Sequence, residues 1–193
     1  PHITNEIKRR MTIFEGEYDF ILIEIGGTVG DIESLPFLEA QRQMWLERGP
    51  QNVLNIHLTY VPYIKSAGEL KTKPTQHSVK MLLESGVQPD VIVCRTEKHL
   101  NQSIRNKIAL FCNVNPSAVI ESVDVETIYD VPLLMREERL DQVVLEKMQV
   151  PIRKQPDLKR WEEFVRMLKN PLGEVQIGLV GKYVELRDAY KSI

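Results

Sequence analysis

Between Thr4 and about Glu15 the apolar residues Ile7, Met11 and Phe14 recur every three to four positions, which predicts a helix that Thr4 or Asn5 caps. Phe20 to Ile23 is different: four apolar residues in a row, closed by Gly26 and Gly27, predict a strand buried on both faces and hence a parallel sheet. Helical spacing returns at Phe37, Leu38, Gln41, Met44, Trp45 and Arg48, and Gly49-Pro50 ends it. A second strand is predicted over Val53 to Val61. A loop rich in Gly, Lys and Pro then enters a helix through Pro74, where the missing N–H costs little, and Gly86 terminates that helix. Val91 to Cys94 predicts a strand, Ser103 to Asn113 a helix, and Ala118 to Ser122 a short strand. Ile128 to Met148 and Leu158 to Leu168 read as helices on either side of a break at Pro151 to Pro156, and Val175 to Val180 reads as a further strand before Leu186 to Ile193.

Strands alternating with helices imply an α/β fold with a largely parallel sheet flanked by helices. Asn170-Pro171-Leu172-Gly173 has linker composition, so residues 1–170 are expected to form one domain and 171–193 a linker with the start of another. Composition adds exclusions. Twenty-five Lys+Arg against 27 Asp+Glu leave a formal charge of −2, which speaks against a nucleic-acid surface. The four-residue apolar runs are far below the roughly 20 residues of a membrane span. Two cysteines, Cys94 and Cys112, supply neither a disulfide framework nor a four-sulfur zinc site, and a reducing cytoplasm is the expected setting. The start at Pro1 suggests a fragment.

Ligands of open α/β sheets bind beyond the carboxyl ends of the strands. The first such loop, Glu24-Ile-Gly-Gly-Thr-Val-Gly-Asp-Ile-Glu-Ser34, combines glycines that admit close backbone approach with an acidic residue at a strand end, making Glu24 a metal candidate. The same residues also suit a tight turn with Asp31 or Ser34 capping the next helix. In the second loop, Gly68 to His77, two lysines, two hydroxyls and an amide gather at a helix start, a triphosphate-sized anion site. A solvated loop is the alternative. Lys107 alone reads as a surface lysine, Cys112 as a buried thiol, His77 as an ordinary histidine, and Trp45 and Trp161 as packing residues. Gly178 to Tyr183 lacks the spacing of a phosphate loop.

Together, Glu24 to Glu39, His57-Leu-Thr with Val61-Pro-Tyr63, Gly68-Glu-Leu-Lys-Thr-Lys-Pro-Thr-Gln-His-Ser-Val79, Gln88 to Arg95 and Lys107 to Val114 closely resemble the synthetase domain of CTP synthases. Gly178 to Ile193 resembles the opening of their glutaminase domain. The resemblance implies a P-loop, dethiobiotin-synthetase-like fold lacking its first strands and phosphate loop. It also implies a reaction in which ATP phosphorylates O4 of UTP, ammonia from glutamine attacks C4 and phosphate leaves, with feedback by CTP. By the same resemblance, Glu24 is a Mg²⁺ ligand. Lys71, Thr72, Lys73, Pro74, Thr75, Gln76 and Lys107 contact UTP and CTP, and Asp31, Ile32 and Glu33 contact CTP, with Glu39 and Phe111 as neighbours of that site. Val123, Asp124 and Val125 meet ATP. No catalytic residue is assigned.

Departures accompany the matches. Many relatives have Lys where this chain has Val123, so backbone contact is expected there, and Arg187 replaces a common Pro. The family's Gly-Lys-Gly loop, a second metal-binding Asp and the glutaminase Cys, His and Glu have no counterpart in these residues. The chain by itself is therefore expected to be inactive, and the full enzyme to be a homotetramer. A non-catalytic CTP/UTP-sensing module is the rival reading.

Overall fold

The computed structural model describes residues 1–190. Helices α1 (His2–Met11) and α2 (Leu35–Arg48) precede β1 (Ile56–Val61), and a small antiparallel hairpin, β2 (Tyr63–Ile64) with β3 (Glu69–Leu70), leads into α3 (Lys73–Glu84). Then come β4 (Val91–Thr96), α4 (Gln102–Cys112), β5 (Val119–Val123), α5 (Val131–Glu137), α6 (Leu140–Lys147) and α7 (Lys159–Lys169). The main sheet runs β1-β4-β5 and is wholly parallel. Ile56 pairs with Val91 at one end and Val61 with Thr96 at the other, while Ile92 to Thr96 pair with Val119 to Val123. The chain is thus α/β, its parallel sheet flanked by helices.

Register explains the core. Because side chains alternate across a strand, Val61, Ile92, Cys94 and Val119 pack on one face with Val79 of α3 and Ile108, Ala109 and Cys112 of α4. Val91, Val93 and Ile120 point the other way, onto Met135, Leu140 and Val143 of α5 and α6. β4 is buried throughout except at Arg95, as a central parallel strand should be. β1 alternates instead: His57, Thr59 and Val61 are buried, whereas Ile56, Leu58 and Tyr60 are exposed. Each fully buried Ile or Val stabilises the fold by about 1.5–3 kcal/mol.

Several expectations are corrected. Phe20 to Ile23 forms no strand, and Leu22 is 93% exposed. An apolar run supplies a surface to bury but no hydrogen-bonding neighbour. Ile21, Leu22, Ile23 and Ile25 line one cavity of about 640 Å³ with Leu54 to His57 rather than pairing with them as strands. Val175 to Val180 likewise forms no strand, and Val175, Ile177 and Val180 are exposed. The helix expected over Ile128 to Met148 divides into a short 3-10 turn, α5 and α6. Arg139, with φ +60°, makes the break where Glu138 turns toward Arg105. Trp45 is no core residue, being 38% exposed on α2.

Two compact units, Pro1–Pro156 and Asp157–Ile193, divide the chain. In the second, the rings of Trp161 and Phe164 lie 5.7 Å apart between centroids, and Tyr190 donates to the Lys182 carbonyl. The last three positions of the Gly178 to Ile193 stretch lie outside the described residues, as does the side chain of Arg187.

Candidate functional site

Three loops leave the carboxyl ends of β1, β4 and β5. After β1 the chain turns through the β2–β3 hairpin, and Lys71 N–H donates to the Pro62 carbonyl at 2.9 Å, which brings the lysine-bearing segment back to the sheet edge. Pro74 in the first turn of α3 fits the position at which no N–H partner is available. The threonines divide from the lysines here. Thr75 is fully buried, its hydroxyl within 3.1 Å of both Thr59 Oγ1 and the Tyr60 carbonyl, and buried Thr72 accepts from Gln76 Nε2 at 3.0 Å. Lys71, Lys73 and Pro74 face solvent. Thr75 thus fastens the start of α3 to β1, and Lys71 and Lys73 extend from that fixed base.

Lys71 is ion-paired with Glu69. The acidity of Glu69 is increased chiefly by the hydrogen bond from Lys71, with the charge of Lys107 on α4 adding to it. Glu69 thus pairs with Lys71 and shares a cavity wall with Lys107. Beside them lies a cavity of about 470 Å³ walled by Glu69, Thr72, Lys98, His99, Ser103 and Lys107. Lys98 Nζ is 5.9 Å from the centroid of Tyr63. Asn101 caps α4 by accepting from Ile104 N–H at 2.9 Å, so this helix start is already satisfied in part by its own side chain. Phe111 lies exposed one turn beyond Lys107.

The third loop, after β5, carries Val123, Asp124 and Val125. Asp124 N–H donates to the Thr96 carbonyl at 2.9 Å, and Arg95 Nε reaches Asp124 Oδ1 at 3.4 Å. Val123 closes the register opposite Thr96.

The first loop is placed by packing on two helices. Ile25 and Val29 lie against Leu38 of α2 and Leu82 of α3. Gly30 has φ +101°, and a Cβ there would lie 2.0 Å from Met81 Cε, so glycine permits this close approach. Glu24, Asp31, Ile32 and Glu33 are all exposed, and no ion pair joins these carboxylates to Lys71 or Lys107 among the described residues. Glu39 points into a local cluster instead. The fork of Arg42 binds it at 2.8 Å through each oxygen and Gln43 adds a bond at 2.7 Å, which together hold its pKa down to about 2.

Among the described residues, no group of three or more His, Cys, Asp or Glu side chains is placed to hold a metal. The lone carboxylate of Glu24 fits a hard ion that brings most of its oxygen ligands with it, as Mg²⁺ does with phosphates and water, and does not form a protein cage. No helix among the described residues is long and apolar enough to cross a membrane.

Pattern reading missed Glu69, Lys98 and His99, and it missed a charged cluster of Glu121, Arg105 and Glu138. Glu121 did leave a signal: a carboxylate inside the apolar run Val119-Ile120-Glu121 can be buried only with partners.

Comparison with known proteins bears directly on these loops. A family model described as CTP synthase N-terminus matches residues 1–150. The chain is 62% identical to a CTP synthase of Cytophaga hutchinsonii over 195 aligned positions, covering 100% of this chain and 36% of that protein. It is 61% identical to a CTP synthase of Flavobacterium psychrophilum, with the same coverage, and 58% identical to one of Chlorobium luteolum, covering 33% of the latter. The chain thus spans about a third of the length of the curated relatives it matches. With the parallel sheet and the loops at its carboxyl edge in view, these matches establish that the chain belongs to the CTP synthase family.

Proposed function

We propose that this chain is the nucleotide-binding part of a cytoplasmic ligase that converts UTP to CTP at the expense of ATP. The Lys71–Glu69 ion pair beside a cavity that Glu69 and Lys107 both line, beyond the carboxyl end of β1, supports this reading. Two ammonium groups so placed suit the triphosphate of UTP or of the feedback inhibitor CTP, and the exposed Asp31, Ile32 and Glu33 suit the part of CTP that UTP lacks. Thr72, Thr75 and Gln76 act by fixing the start of α3, from which Lys71, Lys73 and Pro74 meet the ligand. Glu39 and Phe111 border the CTP site. Val123, Asp124 and Val125 meet the adenine end of ATP through backbone groups.

In the reaction, O4 of UTP attacks the γ-phosphorus of ATP and the bond to ADP breaks. Ammonia released from glutamine then adds at C4, loses protons to solvent, and expels the O4 phosphate. Phosphorylation converts a poor leaving oxygen into a good one, and positive charge around the transferring group lowers the barrier. Mg²⁺, when bound with ATP, supplies charge neutralisation, and Glu24 is the residue of this chain that would hold it. Residues 1–170 serve as the synthetase domain and 171–193 as a linker with the beginning of the glutaminase domain. Self-association into a homotetramer completes the nucleotide sites.

The test is to incubate a full-length protein carrying these residues with Mg²⁺, ATP, UTP and ammonium and to follow CTP by chromatography. Protein-dependent CTP is expected, whereas nucleotide binding without turnover would replace the enzyme by a CTP/UTP-sensing module. The 193-residue chain alone is expected to form none, because its own residues present one metal-suited carboxylate and no Gly-Lys-Gly cradle.

A further inference from the structure

Glu121 lies in the middle of β5 and is only 3% exposed, yet the chemistry proposed above gives it no task. Its oxygens are fully engaged. Oε1 meets His99 Nδ1 at 2.6 Å, and Oε2 accepts from Leu100 N–H and, at 3.4 Å, from Arg105 Nη2. Its own N–H donates to Glu138 Oε2 at 2.8 Å. Arg105 completes the cluster: its fork grips Glu138 at 2.7 and 3.0 Å, Nη1 also donates to the Val119 carbonyl at 2.9 Å, and Nε reaches the Leu100 carbonyl at 3.3 Å. One side chain from β5, one from α4, one from the end of α5 and the backbone of the loop after β4 are thereby joined.

A cluster of this kind is a poor device for stability alone. Ions taken from water lose hydration that well-packed apolar residues never had to give up. What a fork-shaped, fully satisfied network does provide is a single allowed arrangement of the elements that carry it. Those elements carry the candidate nucleotide contacts. Arg105 is two residues before Lys107 on α4, Glu121 is two residues before Val123 on β5, and His99 shares a cavity wall with Lys107 and Thr72.

We propose that Glu121, clamped by Arg105 and Glu138, is a positioning residue that sets the 97–101 loop and α4 against β5, so that Lys107 and the end of β5 meet their nucleotides in register. His99 is the arm that carries this order to the cavity wall. The inference rests on the UTP-aminating function proposed above.

The test uses the full-length protein carrying this chain, with ammonia as nitrogen donor so that glutamine chemistry does not enter. Glu121→Gln keeps the shape of the side chain and removes its charge; Arg105→Lys keeps a charge and removes the fork. His99→Ala alters a side chain that is 81% exposed, so its folding is secure if the other two fail to fold. Each folded variant should show a KM for UTP raised roughly five- to fifty-fold, the size expected from weakening a charge-assisted contact, while the KM for ammonia is unchanged. A residue that only stabilises the fold would lower the active fraction, and with it the apparent kcat, and leave both KM values alone. Unchanged UTP KM in His99→Ala and in whichever other variant folds overturns the proposal. If the unaltered protein makes no CTP, the functional reading falls by itself, and calorimetric titration with UTP then decides the positioning role. Weaker binding by His99→Ala than by the unaltered protein supports it; equal binding, or none by either, overturns it.

Discussion

Lys71 and Glu69 are ion-paired through Nζ and Oε1 immediately ahead of α3, so the lysine best placed to meet a phosphate already holds a carboxylate. An incoming triphosphate must displace Glu69 or share the lysine with it. Glu69→Gln should therefore tighten UTP binding a few-fold, about 2- to 5-fold at low ionic strength, with less gain at high salt because both groups are exposed. Calorimetric titration at two salt concentrations checks this.

Removing the lysines should do the reverse. Lys71→Ala or Lys107→Ala in the full-length protein should weaken UTP binding by about 1.5–3 kcal/mol, or roughly ten- to 150-fold, as expected for a charge-assisted phosphate contact. Unchanged affinity in both variants would remove these residues from the site.

Glu24→Gln keeps side-chain size and loses the charge that a hard cation requires. CTP formation by the full-length variant should need more Mg²⁺ than the parent and fall at least about tenfold at limiting Mg²⁺. A normal rate with a normal Mg²⁺ dependence would exclude Glu24 as a ligand.

Acid should weaken the cluster that holds α5. Burial would raise the pKa of Glu138, but the hydrogen bonds from Arg105 and from Glu121 N–H outweigh it and leave the carboxyl below its ordinary value. A carboxyl whose folded pKa is depressed contributes stability in full above its unfolded value of about 4.3 and loses it as pH falls through the folded value. Thermal melts of the chain should thus drop below about pH 4, and Glu138→Gln should flatten that drop. At neutral pH the same substitution should cost about 1–3 kcal/mol, less than for a fully buried pair because solvent still reaches Glu138.

Burial pushes the thiols of Cys94 and Cys112 up to about 11. Little thiolate forms near pH 8, and neither sulfur is exposed. Iodoacetamide should label both cysteines quickly in denaturant and slowly in the native chain, as mass spectrometry would record. Rapid native labelling would show that the core around α4 opens readily.

Local chemistry written along the chain sufficed for the parallel strands at Val91 and Val119 and for α2, α3 and α4, because apolar period and turn residues are properties of adjacent positions. The lysines before Pro74 and the glycines after Ile25 were legible for the same reason. Tertiary structure alone decided the rest. Phe20 to Ile23 had the composition of a buried strand but finds no partner in the sheet, since a ladder requires a second backbone that no local pattern specifies. Thr75 belongs to the same short motif as Lys71, yet its hydroxyl turns inward to Thr59 and Tyr60 because Thr75 lies within α3 on the buried face it shares with Val79 and Leu82, whereas Lys71 precedes the helix. Arg105, Glu121 and Glu138 are separated by 16 and 17 positions and become one network only when α4, β5 and α5 pack, since the cost of burying each charge is met by the others.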